Sequence, residues 1–174
     1  MAIIPEKIAN FQVYGGARSE LFLGVADAEL PSFEGMTEKI AGAGIAGEYD
    51  SVTPGHFGSQ SIKLKFRTAT PQLLLMPVGV YHVIDLRAAE QTQDPALGAL
   101  GIRALRIEVR GPLKSLKPGK VEPGKPMDAE AEIEVSAVTI SVNGARFIEL
   151  DKFNSIYKVN GVDYLAAVRA ATGG

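Results

Sequence analysis

Glu130-Ala131-Glu132-Ile133-Glu134-Val135-Ser136-Ala137 carries an apolar side chain at every second position, with glutamate or serine between. Successive side chains of an extended strand point to opposite faces, so this is the pattern of a strand with one face buried and one wet. The chain runs on through Val138-Thr139-Ile140-Ser141-Val142 to Asn143-Gly144, then resumes as Ala145-Arg146-Phe147-Ile148-Glu149-Leu150-Asp151. Asn-Gly accepts positive φ at both central positions of a type I′ turn, so the flanking runs are predicted to form a hairpin. Beyond them come Phe153 to Val159 and an Ala-rich segment ending in Gly173-Gly174. Asn160 is placed to cap a short closing helix, Asp163 to lie in its first turn and Gly173 to end it.

Working outward, the same period of two recurs. Asn10 to Tyr14 reads as a first strand, Gly15-Gly16 as its turn and Leu21 to Val25 as its partner, continuing to Pro31. Ser61 to Arg67 sets Ile62, Leu64 and Phe66 against Lys63, Lys65 and Arg67. These cations either face water or meet acids on a neighbouring copy. Thr70 and Pro71 are suited to the cap and first position of a short helix through Met76. Val80 to Ala89 is another strand, Gln91 to Leu100 a connection, and Ala104 to Gly111 a strand ended by Pro112. The expected fold is mainly β: a small antiparallel barrel or sandwich with a short flanking helix and a C-terminal helix.

At 174 residues the chain suits one domain, 1–174, able to bury a real core. Eighteen Lys and Arg face 20 Asp and Glu, a balance that argues against a protein built to grip nucleic acid. Cysteine is absent, which excludes a disulfide framework and thiolate metal sites. The start, Met1-Ala2-Ile3-Ile4-Pro5-Glu6, has no basic, then apolar, pattern of a signal peptide. No apolar run reaches the ~20 residues of a membrane helix, so no membrane anchor is expected.

Residues 32–58 hold six glycines and no clear period, and read as a long loop, mobile outside an assembly. Within it, Gly42-Ala43-Gly44-Ile45-Ala46-Gly47 matches Gly-x-Gly-x-x-Gly. A nucleotide-binding enzyme using this segment is one alternative, but the fingerprint needs a buried strand before it and a helix after it. His56 and His82 share no motif with further metal ligands. Nothing separates the environments of Glu130, Glu132 and Glu134, as an acid–base pair requires. The expectation is a non-enzyme with no cofactor.

The run Glu149-Leu150-Asp151-Lys152-Phe153-Asn154-Ser155-Ile156-Tyr157-Lys158-Val159-Asn160-Gly161-Val162-Asp163 resembles the C-terminal signature of major tail tube proteins of contractile-tailed bacteriophages and phage-tail-like bacteriocins. The matching positions are Asp151, Asn154, Ile156, Lys158, Val159, Asn160, Gly161, Val162 and Asp163. The family also has an Asn near the first strand, a Leu-Pro closing the second and a Gly-Ala-Gly segment in the long loop. It usually carries Arg before that segment, where this chain has Ala41. A basic, glycine-bearing loop matches Lys117 to Pro126.

The resemblance implies a structural virion protein, assembled in the host bacterial cytoplasm. Its copies would close hexameric rings that stack into the inner tail tube, a conduit for DNA and a needle driven by sheath contraction. Implied partners are further copies, the tail sheath, a tape-measure protein, baseplate and tail-terminator proteins, and duplex DNA in passage without specific binding. A tube subunit of a related contractile injection or secretion system is the alternative within this class. Gly42, Ala43, Gly44, Ile45, Gly47 and Tyr49 are the candidate ring-stacking segment. Glu130, Glu132 and Glu134 are candidate lumen-facing residues that repel DNA; the other reading pairs them with Lys63 and Lys65.

Overall fold

The computed structural model describes residues 3–15, 20–22 and 24–173. In chain order the elements are β1 (Ile4–Gly15), β2 (Glu20–Phe22), β3 (Val25–Glu29), β4 (Gly35–Ala41), β5 (Glu48–Phe57), β6 (Ser61–Phe66), α1 (Pro71–Leu74), β7 (Tyr81–Asp94) and β8 (Ala99–Lys117). Then follow β9 (Ala129–Glu134), β10 (Ala137–Val142), β11 (Ala145–Asp151), β12 (Ile156–Val159), β13 (Val162–Asp163) and α2 (Ala166–Thr172). The fold is mainly β, sandwich-like, with no closed barrel among the described residues.

One layer runs β13-β12-β11-β10-β8-β7-β1-β2, and the other β3-β6-β9. Every pairing between described strands is antiparallel, and the layers share β8. Its first part lies between β7 and β10; its last part, from Leu113, pairs with β9. Alternation decides which side chains meet between the layers. Val13, Ile84, Leu86, Ile107, Val109, Val138 and Leu150 come from the larger sheet, and Ile62, Leu64, Phe66, Ala131 and Ile133 from β6 and β9. Phe22, Leu73 and Met76 join the same core.

The corner of β8 is made by Gly111. A Cβ built there would stand 1.7 Å from the Glu134 carbonyl oxygen, because the end of β9 crosses directly over this residue. Ser136 then donates its N–H to the Arg110 carbonyl (2.8 Å), tying the crossing down. Pro112 does not end the strand as expected. It has no N–H to lose, and the chain changes sheets at this point and continues to Lys117.

Other expectations divide in the same manner. Asn143 and Gly144 both take positive φ, 48° and 81°, at the predicted hairpin turn. Thr70 caps α1, accepting the Leu73 N–H, with Pro71 leading the helix, and Gly173 ends α2 at φ 82°. Asn160 caps nothing: Asn160-Gly161 is a second tight turn, between β12 and β13, at φ 49° and 81°. The helix starts only at Ala166, and Asp163 lies in β13, accepting the Leu165 N–H (3.0 Å) and the Arg169 guanidinium. The predicted partner of the first strand is split. β2 pairs with β1, whereas β3 pairs with β6 in the other layer. Gly16 and Leu23 lie outside the described residues. The connection expected at Gln91 to Leu100 is mostly strand, since β7 and β8 pair as far as Asp94 with Ala99.

Residues 32–58 differ most from the loop expected. β4 and β5 form a two-stranded hairpin of their own, with Ile40 opposite Tyr49 and Thr37 opposite Val52. No period shows in the sequence because every residue of β4 is exposed, so no face selects apolar side chains.

Candidate assembly surfaces

The predicted stacking segment occupies the tip of that hairpin. Gly42, Ala43, Gly44, Ile45 and Gly47 form the turn, where the Ile45 N–H donates to the Gly42 carbonyl (3.1 Å), and Tyr49 is the second residue of β5. Gly44 and Gly47 take positive φ, 91° and 122°, as a tight reversal requires. Exposed strand lies on both sides and no helix follows, so the dinucleotide fingerprint lacks the helix N-terminus that would meet phosphate. Instead, the hairpin holds Met36, Ile40, Ile45, Tyr49 and Val52 in the open.

The outer face of the β3-β6-β9 layer is striped by charge. Glu29 and Asp27 of β3 lie 3.8 and 3.4 Å from Lys63 and Lys65 of β6. Glu130, Glu132 and Glu134 of β9 form the next column, and Lys117 and Lys114 of β8 the last. Lys117 reaches Glu130 at 2.8 Å, and Lys114 reaches Glu132 and Glu134 at 3.4 and 3.7 Å. The three glutamates share one face, as alternation predicts, but they are not a bare acid row. Their closest counter-ions are Lys114 and Lys117, which the sequence conceals because Pro112 reads as the end of β8 before them. Lys63 and Lys65 stand opposite Glu132 and Glu130 in register, yet turn their closest contacts to β3.

Burial pushes the Glu132 carboxyl upward, and Ser61 and Lys114 outweigh it, leaving its pKa below the usual value. Asp85, on the outer face of the larger sheet, behaves alike. Burial raises its pKa, but Arg106 and Arg87, bonded at 2.7 and 2.6 Å, bring it below the ordinary range. Asp163 is lowered chiefly by its hydrogen bond with Arg169. A carboxyl depressed in the folded state contributes stability above its unfolded pKa, near 4, and loses it as pH falls through the folded value. Thermal melts should therefore be flat from pH 7 to about 5 and fall steeply below about 4. Asp85→Asn should start lower at pH 7 and lose less on acidification.

The signature residues gather into one C-terminal block. Asp151 accepts the backbone N–H groups of Phe153 and Asn154 (both 3.0 Å), and the Asn154 side-chain amide donates a further hydrogen bond to its carboxylate (2.7 Å). This tight turn leads into β12, where Lys158 lies 4.0 Å from Glu149, and Val159 pairs with Val162 across the Asn160-Gly161 turn. Ile156 pairs with Asp151 at the start of the strand. His56 lies in β5, and the His82 Nε2 is 3.3 Å from the Pro77 carbonyl oxygen. Among the described residues no cluster of three metal-ligating side chains occurs, and no helix is long and apolar enough to cross a membrane.

The model of one protein family, phage tail tube protein FII, matches residues 5–173, nearly the whole chain. The chain belongs to the phage tail tube family. No curated protein matches it. Membership makes this a structural tail protein of a phage particle, from a family not known for enzymatic activity. A tube subunit must carry contact surfaces for other copies. The hairpin and the striped face of this chain are candidates for that role.

Proposed function

We propose that the chain, acting as one domain over residues 1–174, is the subunit of an inner tail tube: copies close into hexameric rings, and rings stack into a hollow rod. Within the virion the rod conducts DNA and is the needle that sheath contraction drives. Assembly takes place in the host bacterial cytoplasm, with tape-measure protein inside, sheath outside, and baseplate and tail-terminator proteins at the ends.

One observation carries the reading: the larger sheet is left unfinished. β1 pairs with β7 from Ile4 to Gly15, but β2 covers only Val13 to Gly15 on its other side. Ile4 to Gln12 thus has an edge paired with no described strand, with Ile4 and Ile8 exposed along it. At the far end of the layer stands the two-residue β13. Free N–H and C=O groups on a long edge invite another strand, and a head-to-tail contact between unlike edges closes a ring when its rotation returns on itself. The exposed hairpin supplies a second contact, from ring to ring. There Ile45 and Tyr49 are buried only when another copy covers them, and repetition around the ring multiplies a weak contact.

Negative-stain microscopy of the purified chain tests this. Rings or hollow rods are expected; a chain that stays monomeric at every concentration ends the proposal. Ile45→Ser with Tyr49→Ser should leave rings intact and reduce rods by about tenfold or more. Rods of normal length and number from this variant would remove the hairpin from stacking.

A further inference from the structure

Among the described residues, the hairpin packs against the body mainly at its root. β4 is exposed throughout, and β5 becomes half-buried chiefly at Gly55 and Phe57. At that root the C-terminal block meets it. Phe57 lies edge-on between Phe33 (5.8 Å between ring centres) and Tyr157 (5.0 Å), and Tyr157 continues to Tyr164 (5.8 Å). Gly55, at φ 67°, is pressed against Leu165, which is 4% exposed; a Cβ at Gly55 would come within 2.5 Å of that side chain. Lys152 donates from Nζ to the Gly58 carbonyl (3.2 Å) at the exit of β5, and the Gln60 amide donates to the Ser32 carbonyl at the approach to β4. Arg169 holds α2 in place by bonding the Ser155 carbonyl (2.7 Å) and Asp163.

A two-stranded ribbon fixed mainly at its base points wherever the base directs it. Two isolated strands have little stability or stiffness of their own. We propose that Lys152, Tyr157 and Leu165 are positioning residues: the C-terminal block is the socket that sets the direction in which the β4–β5 hairpin leaves the body. The signature region then has a role distinct from its own strand pairing. It aims a contact surface whose tip lies far from it in sequence. The consequence for assembly rests on the stacking role proposed above; the socket itself does not.

The absence of cysteine makes the test clean, because spin labels attach only where cysteine is introduced. Labels at Glu38→Cys on the hairpin and Ala145→Cys on the body report one distance by pulsed electron spin resonance on unassembled protein. The parent should give a narrow distribution. Tyr157→Ala with Leu165→Ala should at least double its width, and Lys152→Met, which leaves the apolar packing in place, should widen it less. An unchanged width in the folded Lys152→Met protein, together with an unchanged or unmeasurable double variant, overturns the socket. The same samples examined for rods separate the two readings. A wider distribution with normal rods keeps the socket and rejects stacking through the hairpin. Lost rods with unchanged width reject the socket and leave stacking standing.

Discussion

Gly111→Ala is expected to lower the melting temperature by about 6–12 °C, and Gly111→Val to prevent folding. The added methyl would sit 1.7 Å from the Glu134 carbonyl oxygen and 2.9 Å from its carbon, both backbone atoms that cannot rotate aside. Relief requires β8 and β9 to separate at the point where β8 passes between layers. Separation there loosens the Ser136 N–H bond to Arg110 and the packing of Leu113, Ile133 and Val135, all essentially inaccessible to solvent. Overfilling a packed site by this means costs about 3 kcal/mol, which in a domain of this size corresponds to the shift stated. Gly42→Ala is the control: nothing lies within 4 Å of where its methyl would stand and its φ is ordinary, so its melt should not move. Calorimetry or circular dichroism on the three proteins decides the matter. A Gly111→Ala melt within about 2 °C of the parent would mean that the two layers are not joined through this corner.

What the residues disclose by themselves follows from which forces act locally. Alternation at Glu130 to Val135 is legible because one face of β9 is buried against the core, and burial selects the side chains. It does not run on to Ala137 as expected, because the chain leaves β9 after Glu134, buries Ser136 at the crossing and enters β10 in the other layer. Asn143-Gly144 is legible because the turn needs two positive φ values. The β4–β5 hairpin is not legible, since neither face is buried within one chain. If another copy covers it, the selection acts between molecules and leaves no period in one. Asn160 misleads for a related reason. Asn-Gly suits both a tight turn and the approach to a helix, and only the pairing of Val159 with Val162 decides between them. The partners of the acid column are hidden by Pro112, whose missing N–H suggests the end of a strand that merely changes layers. The C-terminal signature announces its family, while its contact with the hairpin root depends on Gly55, Phe57 and Gly58, about a hundred residues earlier in the chain.

Replacing Glu130, Glu132 and Glu134 together with lysine is expected to make assembled rods hold duplex DNA that the parent releases. The striped face carries five carboxylates, Asp27, Glu29, Glu130, Glu132 and Glu134, against the four ammonium groups of Lys63, Lys65, Lys114 and Lys117. Reversal leaves two against seven. In the parent each lysine is committed to a carboxylate, so a passing phosphate gains little by displacing it; in the variant Lys63 and Lys65 keep Glu29 and Asp27, while Lys114, Lys117 and the three added lysines lack a carboxylate of β9. Each phosphate neutralised by lysine releases counter-ions, so retention should weaken steeply with salt, by about tenfold or more between 50 and 200 mM. Glu130→Gln, Glu132→Gln and Glu134→Gln in one chain should give an intermediate result, because it frees Lys114 and Lys117 without adding charge. Co-sedimentation of DNA with rods across a salt series, alongside microscopy confirming that rings still form, reads the effect. In a virion carrying the reversal, ejection should slow by the same cause. Normal ejection and no salt-sensitive retention, with rings intact, would place this face away from the bore. The charge stripes would then serve only to favour the order β3, β6, β9 and the end of β8, in which acidic and basic columns alternate and two columns of like charge set side by side would be disfavoured.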